Sequence, residues 1–389
     1  MTTHRSRRWF PAAAAALALA AAGCSSAPGS SSPGSSSPGS AVAAGGGSVN
    51  WATATSAQAG GGMQALIAAA RNEGTLNVIA LPPTWANYAA IIKDFGKRYG
   101  IRVHSISPNG TSQDEINAVR HGSGAPAAPD VLDVDMTTAL ANTSLFARYE
   151  VSTWSTIPAT QKDPAGRWVQ DYGGYMSVGY DSARLGTITS LNQLLGPKFR
   201  NTVALTGRPT QSSAALSAVM MANLAQGGTA AGIARGVAFF HQLRQAGNFS
   251  PVQATSATIR AGQTEVVFNW DYLNTPSVVG SRSWKVFIPS NAVLGDYYAQ
   301  AISKDAPHPA AARLWEEFLY SEAAGGGQNL WLAGGIHPVE QATMTANGTI
   351  DQAAAARLPL ASGAPVFLTT SEAARASSFL QKNWVKAVR

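Results

Sequence analysis

Leu76-Asn77-Val78-Ile79-Ala80-Leu81 is a short apolar run with β-branched residues, stopped by Pro82-Pro83 and flanked on both sides by helical patterns. Upstream, Met63–Asn72 spaces Met63, Leu66 and Ile67 at helical intervals, and Glu73-Gly74 closes it. Downstream, Tyr88–Tyr99 puts Ile91, Ile92 and Phe95 on one face and meets Gly100, a residue suited to a left-handed stop. Ile101–Ile106 predicts a second strand and Val131–Val134 a third. Between them, Ser112–His121 predicts a helix with Asp114 and Glu115 in its first turn, where the macrodipole favours acids. This alternation predicts a parallel α/β sheet covered on both faces. A similar unit begins again after about Gly179: a strand at Thr202–Leu205, then a helix over Ser212–Ala225 ended by Gly227-Gly228. Val266–Trp270 and Trp284–Ile288 follow as strands, and 310–389 is mostly helical in pattern.

The first 62 residues read differently. His4-Arg5-Ser6-Arg7-Arg8 is basic, Pro11–Ala22 is apolar and alanine-rich, and Gly23-Cys24 follows at once. That apolar run is too short for roughly 30 Å of hydrocarbon, so 1–23 reads as an export signal. Ala21-Ala22-Gly23-Cys24 resembles the bacterial lipobox, whose cysteine is lipidated, although Ala21 stands where leucine is usual. Ser6-Arg7-Arg8-Trp9-Phe10 resembles the twin-arginine motif; an ordinary secretory signal is the alternative. Residues 24–62 are rich in Ser, Gly, Pro and Ala, a composition that cannot offset chain entropy by burial and predicts a disordered tether.

Composition excludes several classes. Only 13% of the 389 residues are charged, against about 25% in typical soluble domains, so a net charge of +7 makes no polybasic nucleic-acid surface. One cysteine permits no disulfide within the chain. No His-Glu-x-x-His, Cys-x-x-Cys, Gly-x-Ser-x-Gly or Walker-type loop occurs, and the six histidines are scattered. The expectation is therefore a binding protein with no cofactor and no metal, and an enzyme is the less favoured alternative.

Open α/β sheets bind ligands at strand ends. Thr84-Trp85 follows the first strand, Asp133 and Asp135 end the third, Trp270-Asp271-Tyr272 follows Val266–Phe268, and Asp296-Tyr297-Tyr298 opens the strand through Ala301-Ile302. Rings and carboxylates together suit a cation, although each ring also fits core packing and each Asp also fits a strand-end cap. Asn109-Gly-Thr-Ser112 and Thr210-Gln-Ser-Ser213, which contains Ser212, lead into helices and keep an anionic ligand open, or are plain N-caps.

Residues 63–344 resemble the extracellular solute-binding proteins of ABC importers. The likeness rests on Leu66-Ile-Ala-Ala-Ala-Arg-Asn-Glu-Gly-Thr-Leu-Asn-Val78, Pro129-Asp130-Val131-Leu132, Tyr172-Gly-Gly-Tyr-Met-Ser-Val-Gly-Tyr180 and Gly207-Arg-Pro-Thr-Gln-Ser-Ser213. Its most specific stretch is Ala301-Ile-Ser-Lys-Asp-Ala-Pro-His-Pro-Ala-Ala-Ala-Arg-Leu-Trp-Glu-Glu-Phe-Leu319, followed by Gln328-Asn-Leu-Trp331 and Gly335-Ile-His-Pro338.

The resemblance implies a type II periplasmic-binding-protein-like α/β fold. Two lobes, 63–178 with 291–389 and 179–290, would be joined by crossover strands around a ligand cleft. It implies a monomer anchored outside the cytoplasmic membrane through Cys24, delivering a small solute to a permease and its ATPase. The family takes ferric iron, polyamines, thiamine or aminoalkylphosphonates. Polyamine fits best: Trp85, Trp270 and Tyr272 are placed like the rings that sandwich such chains, and Asp133, Asp135, Asp271 and Asp296 supply acids. Asp296 stands where that pattern has Trp, and Tyr298 where it has Asp. The Tyr297-Tyr298 pair makes iron the alternative, with aminoalkylphosphonate third.

Overall fold

A computed structural model describes residues 49–388, so the segment expected to be an export signal, Cys24 and most of the expected tether lie outside the described residues. Ten strands form one sheet: β1 (Thr75–Ile79), β2 (Arg102–Ile106), β3 (Val131–Val134), β4 (Val169–Asp181), β5 (Val203–Leu205), β6 (Val266–Trp270), β7 (Trp284–Phe287), β8 (Leu294–Ile302), β9 (His337–Pro338) and β10 (Val366–Phe367). The order is β2-β1-β3-β8-β4-β6-β5; β7 and β9 pair with β4, and β10 with β8.

The sheet is mixed, which corrects the parallel expectation. β1 runs parallel to β2 and β3, and β5 parallel to β6, but β8 is antiparallel to both β3 and β4, and β4 is antiparallel to β6. Helix–strand alternation specifies parallel neighbours only within each βα unit. The long connections that bring β4 and β8 together carry no such signal.

β4 is 13 residues long and has two sets of partners. Val169–Tyr175 pairs with β8, and Met176–Asp181 with β6 and β7. A separate hydrophobic core lies along each half. The first holds Leu66, Leu76, Phe95, Trp315, Phe318 and Trp331; the second holds Met176, Phe199, Val219, Met220, Phe240 and Phe268. This is the two-lobed α/β architecture. The C-terminal helix Thr370–Val388 sets Ala376, Leu380 and Trp384 into the second core.

The stretch 301–319 is architectural. In the helix Pro309–Leu319 every residue from Ala310 to Leu319 is buried, which explains its small Ala310-Ala311-Ala312 face against the helix Met63–Glu73. Glu73 accepts the Ala310 and Ala311 N–H groups (3.0 and 2.7 Å), serving donors that a helix start leaves unpaired. Asp130 is buried and accepts the backbone N–H groups of Asn77 (2.6 Å) and His308 (2.7 Å). The two quoted motifs, Pro129-Asp130 and Pro307-His308-Pro309, thus clasp each other.

Folded structure begins before Met63, which shortens the tether. Trp51, Ala54 and Ala57 are buried in the first core, and buried Arg313 donates to the carbonyls of Ala54 (2.8 Å) and Ala52 (3.1 Å). A Cβ on Gly60 would lie 2.2 Å from the Trp51 ring, so the glycine composition that reads as flexible is here needed for close approach.

Candidate functional site

The loop after β1 carries Trp85 in strained backbone. Ala80, Ala86 and Asn87 all have positive φ (55, 50 and 61°), a region costly for non-glycine residues and concentrated at functional loops. Asn87 Nδ2 ties the loop down by donating to the Leu330 carbonyl at 2.6 Å.

Trp85 meets two other rings edge-to-face: Tyr272 at 5.8 Å and Tyr298 at 6.5 Å between centroids. Tyr272 lies on the 3₁₀ turn after β6, and Tyr298 on β8, so the structure brings three of the four expected strand-end groups together. All three rings keep part of their surface in solvent. Two glycines make room for this arrangement. A Cβ on Gly174 would fall 2.3 Å from Asp271 Oδ1 and 2.5 Å from the Tyr272 ring; on Gly173 it would fall 2.1 Å from the Asp296 carbonyl.

Beneath these rings is a hydrogen-bond network that the sequence does not announce. Trp85 Nε1 donates to the Tyr172 hydroxyl (2.9 Å), and Tyr172 stacks on Tyr298 with centroids 5.5 Å apart and planes 16° from parallel. The hydroxyls of Tyr172 (3.0 Å) and Tyr88 (2.8 Å) donate to Asp133 Oδ2. Gln300 Nε2 donates to the Tyr88 hydroxyl (3.2 Å) and to Asp171 Oδ2 (2.9 Å). Asp133 and Gln300 are paired across β3 and β8, which puts their side chains side by side. Burial pushes the Asp133 carboxyl up to about 7 against the lowering effect of the two phenols, and pushes Asp171 up as well.

The remaining expected residues divide. Asp296 alternates with Tyr298 and Gln300 along β8, and lies inside the strand rather than at its start. It keeps an open side, yet the protein packed around it removes water and, with the charge of Asp135, pushes its carboxyl up to about 7. Asp135 is exposed and caps the helix Met136–Ala141 through the Thr138 N–H (2.9 Å). Thr84 is exposed at the loop tip. Trp270 is packed in the second core at 8% exposure. Asp271 is fully buried; it accepts the Tyr175 and Tyr272 N–H groups and lies 2.6 Å from His337 Nε2. Ser212 caps the helix Ser213–Ala225 through the Ala215 N–H, and Thr111 with Asp114 forms a capping box on the helix Ser112–Gly122. Cys24 lies outside the described residues.

Tyr297 and Tyr298 point to opposite faces of β8. Tyr297 packs against Tyr175 and Phe367, and Tyr298 against Trp85 and Tyr172. Adjacent strand residues cannot share one ion from the same face. Among the described residues no arginine or lysine forms an ion pair with Asp133, Asp135 or Asp296. A surface cavity of about 480 Å³ lies elsewhere, at Asp181, Arg184, Glu265 and Trp284, where Arg184 is already paired with Glu265 at 2.8 Å.

A two-lobed α/β fold with a partly exposed cluster of rings and acids fed by both halves defines a binding protein. Residues 126–359 match the family described as bacterial extracellular solute-binding protein, and the chain belongs to that family. Solved structures of the same fold include the ferric iron-binding protein A of Mannheimia haemolytica in an open conformation (TM-score 0.58, 17% identity, 81% of this chain and 99% of that one). Others are AfuA of Actinobacillus pleuropneumoniae with fructose-6-phosphate (0.54, 17%, 81% and 98%) and AgtB of A. tumefaciens R10 with agropinic acid (0.54, 14%, 81% and 98%). No curated protein matches the chain.

Proposed function

We propose that this protein captures a small organic cation outside the cytoplasmic membrane and hands it to the permease of an ABC importer, the best candidate being a polyamine such as putrescine or spermidine. The observation that carries the reading is the juxtaposition of Trp85, Tyr272 and Tyr298 with Asp296 and Asp135, where among the described residues no arginine or lysine pairs with the acids. Ring faces attract alkylammonium groups and cover their methylenes, and carboxylates take the N–H donors. The bound solutes of the structural neighbours are chemically varied, so they bear on the fold and not on this choice.

In this reading Cys24 carries the lipid anchor and a shortened tether leads to the folded part. The lobes divide near 178 and 291, the C-terminal helix counting with the second because its buried residues sit in that core.

A melting screen of the purified protein with putrescine, spermidine, ferric citrate, thiamine, fructose-6-phosphate and 2-aminoethylphosphonate tests the assignment. Binding to the native state adds about 2.7 kcal/mol at a hundred dissociation constants, enough to read as a clear shift. A shift with a polyamine alone supports the proposal. A shift confined to ferric citrate or to a phosphorylated compound overturns it.

A further inference from the structure

We infer that Asp133 is a positioning residue of this site: through Tyr172 it sets the direction of the Trp85 indole and the seat of the Tyr298 ring, without touching the solute. The inference rests on the reading that Trp85 and Tyr298 face the solute.

A tyrosine hydroxyl has one proton to give and lone pairs to receive, and an indole has one N–H and no acceptor. The Tyr172 proton goes to Asp133 Oδ2 at 3.0 Å, which leaves that oxygen's lone pairs for Trp85 Nε1 at 2.9 Å. Remove the acceptor, and the hydroxyl can turn its proton toward the indole N–H, where two donors meet. The same Asp133 oxygen holds Tyr88, whose hydroxyl accepts from Gln300, so the carboxylate is fixed on two sides. Tyr172 also carries the 16° stack with Tyr298, and therefore two of the three rings at the site depend on one hydroxyl. Asp133 itself is 6% exposed, and its second oxygen, Oδ1, is buried without a partner, so the whole carboxylate lies below the rings. Locked supporting hydrogen bonds of this kind are what hold a binding group to its productive geometry.

The test has one arm without solute and one with it. In the purified ¹⁵N-labelled protein, the Trp85 indole N–H resonance is identified by its loss in Trp85→Phe. Asp133→Leu, which leaves the Tyr172 hydroxyl no acceptor, is expected to move that resonance although the two residues do not touch, leaving most other indole signals in place; Asp133→Asn, whose amide oxygen still accepts, is expected to move it less. Asp133→Ala, which also offers no acceptor, replaces Asp133→Leu as the decisive variant if the latter fails to fold, and Tyr172→Phe, which takes away the indole's own acceptor, marks the full size of the displacement. An unmoved Trp85 signal in a folded variant overturns the inference.

With putrescine, Asp133→Leu is expected to weaken binding roughly three- to tenfold, the worth of one hydrogen bond, and to cost no more than about twofold in the Tyr172→Phe background. An undiminished loss in that background means that Asp133 contacts the solute, and overturns the inference. If putrescine does not bind the unmodified protein, the proposed function fails while the resonance arm still decides the role of Asp133.

Discussion

His337 Nε2 and Asp271 Oδ2 lie 2.6 Å apart, with side-chain exposures of 4% and 0%. His337 is on β9, paired with the first half of β4, and Asp271 follows β6, paired with the second half. The other imidazole nitrogen, Nδ1, meets Gln341 Oε1 at 2.7 Å, and Tyr175 lies edge-on to the ring at 4.9 Å. The pair thus clips Tyr272 in place from below, because Asp271 also accepts the Tyr272 N–H. Breaking a buried pair by removing one partner leaves an uncompensated group, and His337→Ala is expected to cost about 3–5 kcal/mol. Denaturant unfolding measures it; a loss below about 1 kcal/mol would show that the contact is not held in solution.

Stability should fall as pH rises from about 5 to about 8.5. Burial alone would depress His337, but the Asp271 charge and the hydrogen bonds from Asp271 and Gln341 outweigh it and raise its pKa. Burial likewise raises Asp133 and Glu340 to about 7, and Glu316 to about 8. All of these bind protons more tightly folded than unfolded. Stabilisation from each is complete below its unfolded value, near 6.5 for histidine and about 4 for the acids, and is lost as pH passes the folded value. Groups shifted the other way, such as Asp163 beside Arg167, act only below about pH 4 and do not oppose the trend. Melting temperature across this range is the measurement, and a rise toward pH 8.5 would contradict it.

Trp85 and Trp270 should separate cleanly on mutation. Trp270 is packed among Met176, Phe268 and their neighbours in the second core, so Trp270→Ala is expected to cost about 3–5 kcal/mol of stability. Trp85 keeps part of its surface in solvent, so Trp85→Ala should cost clearly less stability while removing most polyamine affinity. Parallel melting and titration of the two variants decide this. Equal losses of binding at equal stability would place both rings against the solute.

Sequence pattern carried the local elements far better than their assembly. Val131–Val134 and Val266–Trp270 have the bounds that periodicity gives, because a β-branched run between turn residues has few other conformations. The antiparallel placement of β8 had no local signal; it arises from long-range pairing with Val131–Val134 and Val169–Tyr175. At the site, aromatic and acidic residues at strand ends pointed to Trp85, Tyr272, Tyr298 and Asp296 as neighbours. Trp270 and Asp271 sit beside Tyr272 in sequence yet turn into the core and toward His337. Tyr88, Gln300 and the hydroxyl of Tyr172 read as helix, strand and crossing residues. Only the register of β3 on β8 shows that they converge on Asp133. The Gly173-Gly174 pair was the one legible hint, since two glycines within a strand mark close approach by another chain segment.

Cation capture at this site should tighten as pH rises through neutrality. The protein packed around Asp296 and the charge of Asp135 push its carboxyl up to about 7, so below that value a cation must displace a proton from it. Binding then releases up to one proton, and affinity should climb toward tenfold per pH unit between about 5.5 and 7 before levelling off. Polyamines stay charged throughout, with amines in the range of lysine near 10.4, so the slope belongs to the protein. Calorimetric titration of putrescine in buffers of different ionisation enthalpy reads the proton count directly. Asp296→Asn should flatten the profile and weaken binding at pH about 8 more than at about 5.5, since at the lower pH the native carboxyl is already neutral. A pH-independent affinity in the native protein would place the ammonium group away from Asp296.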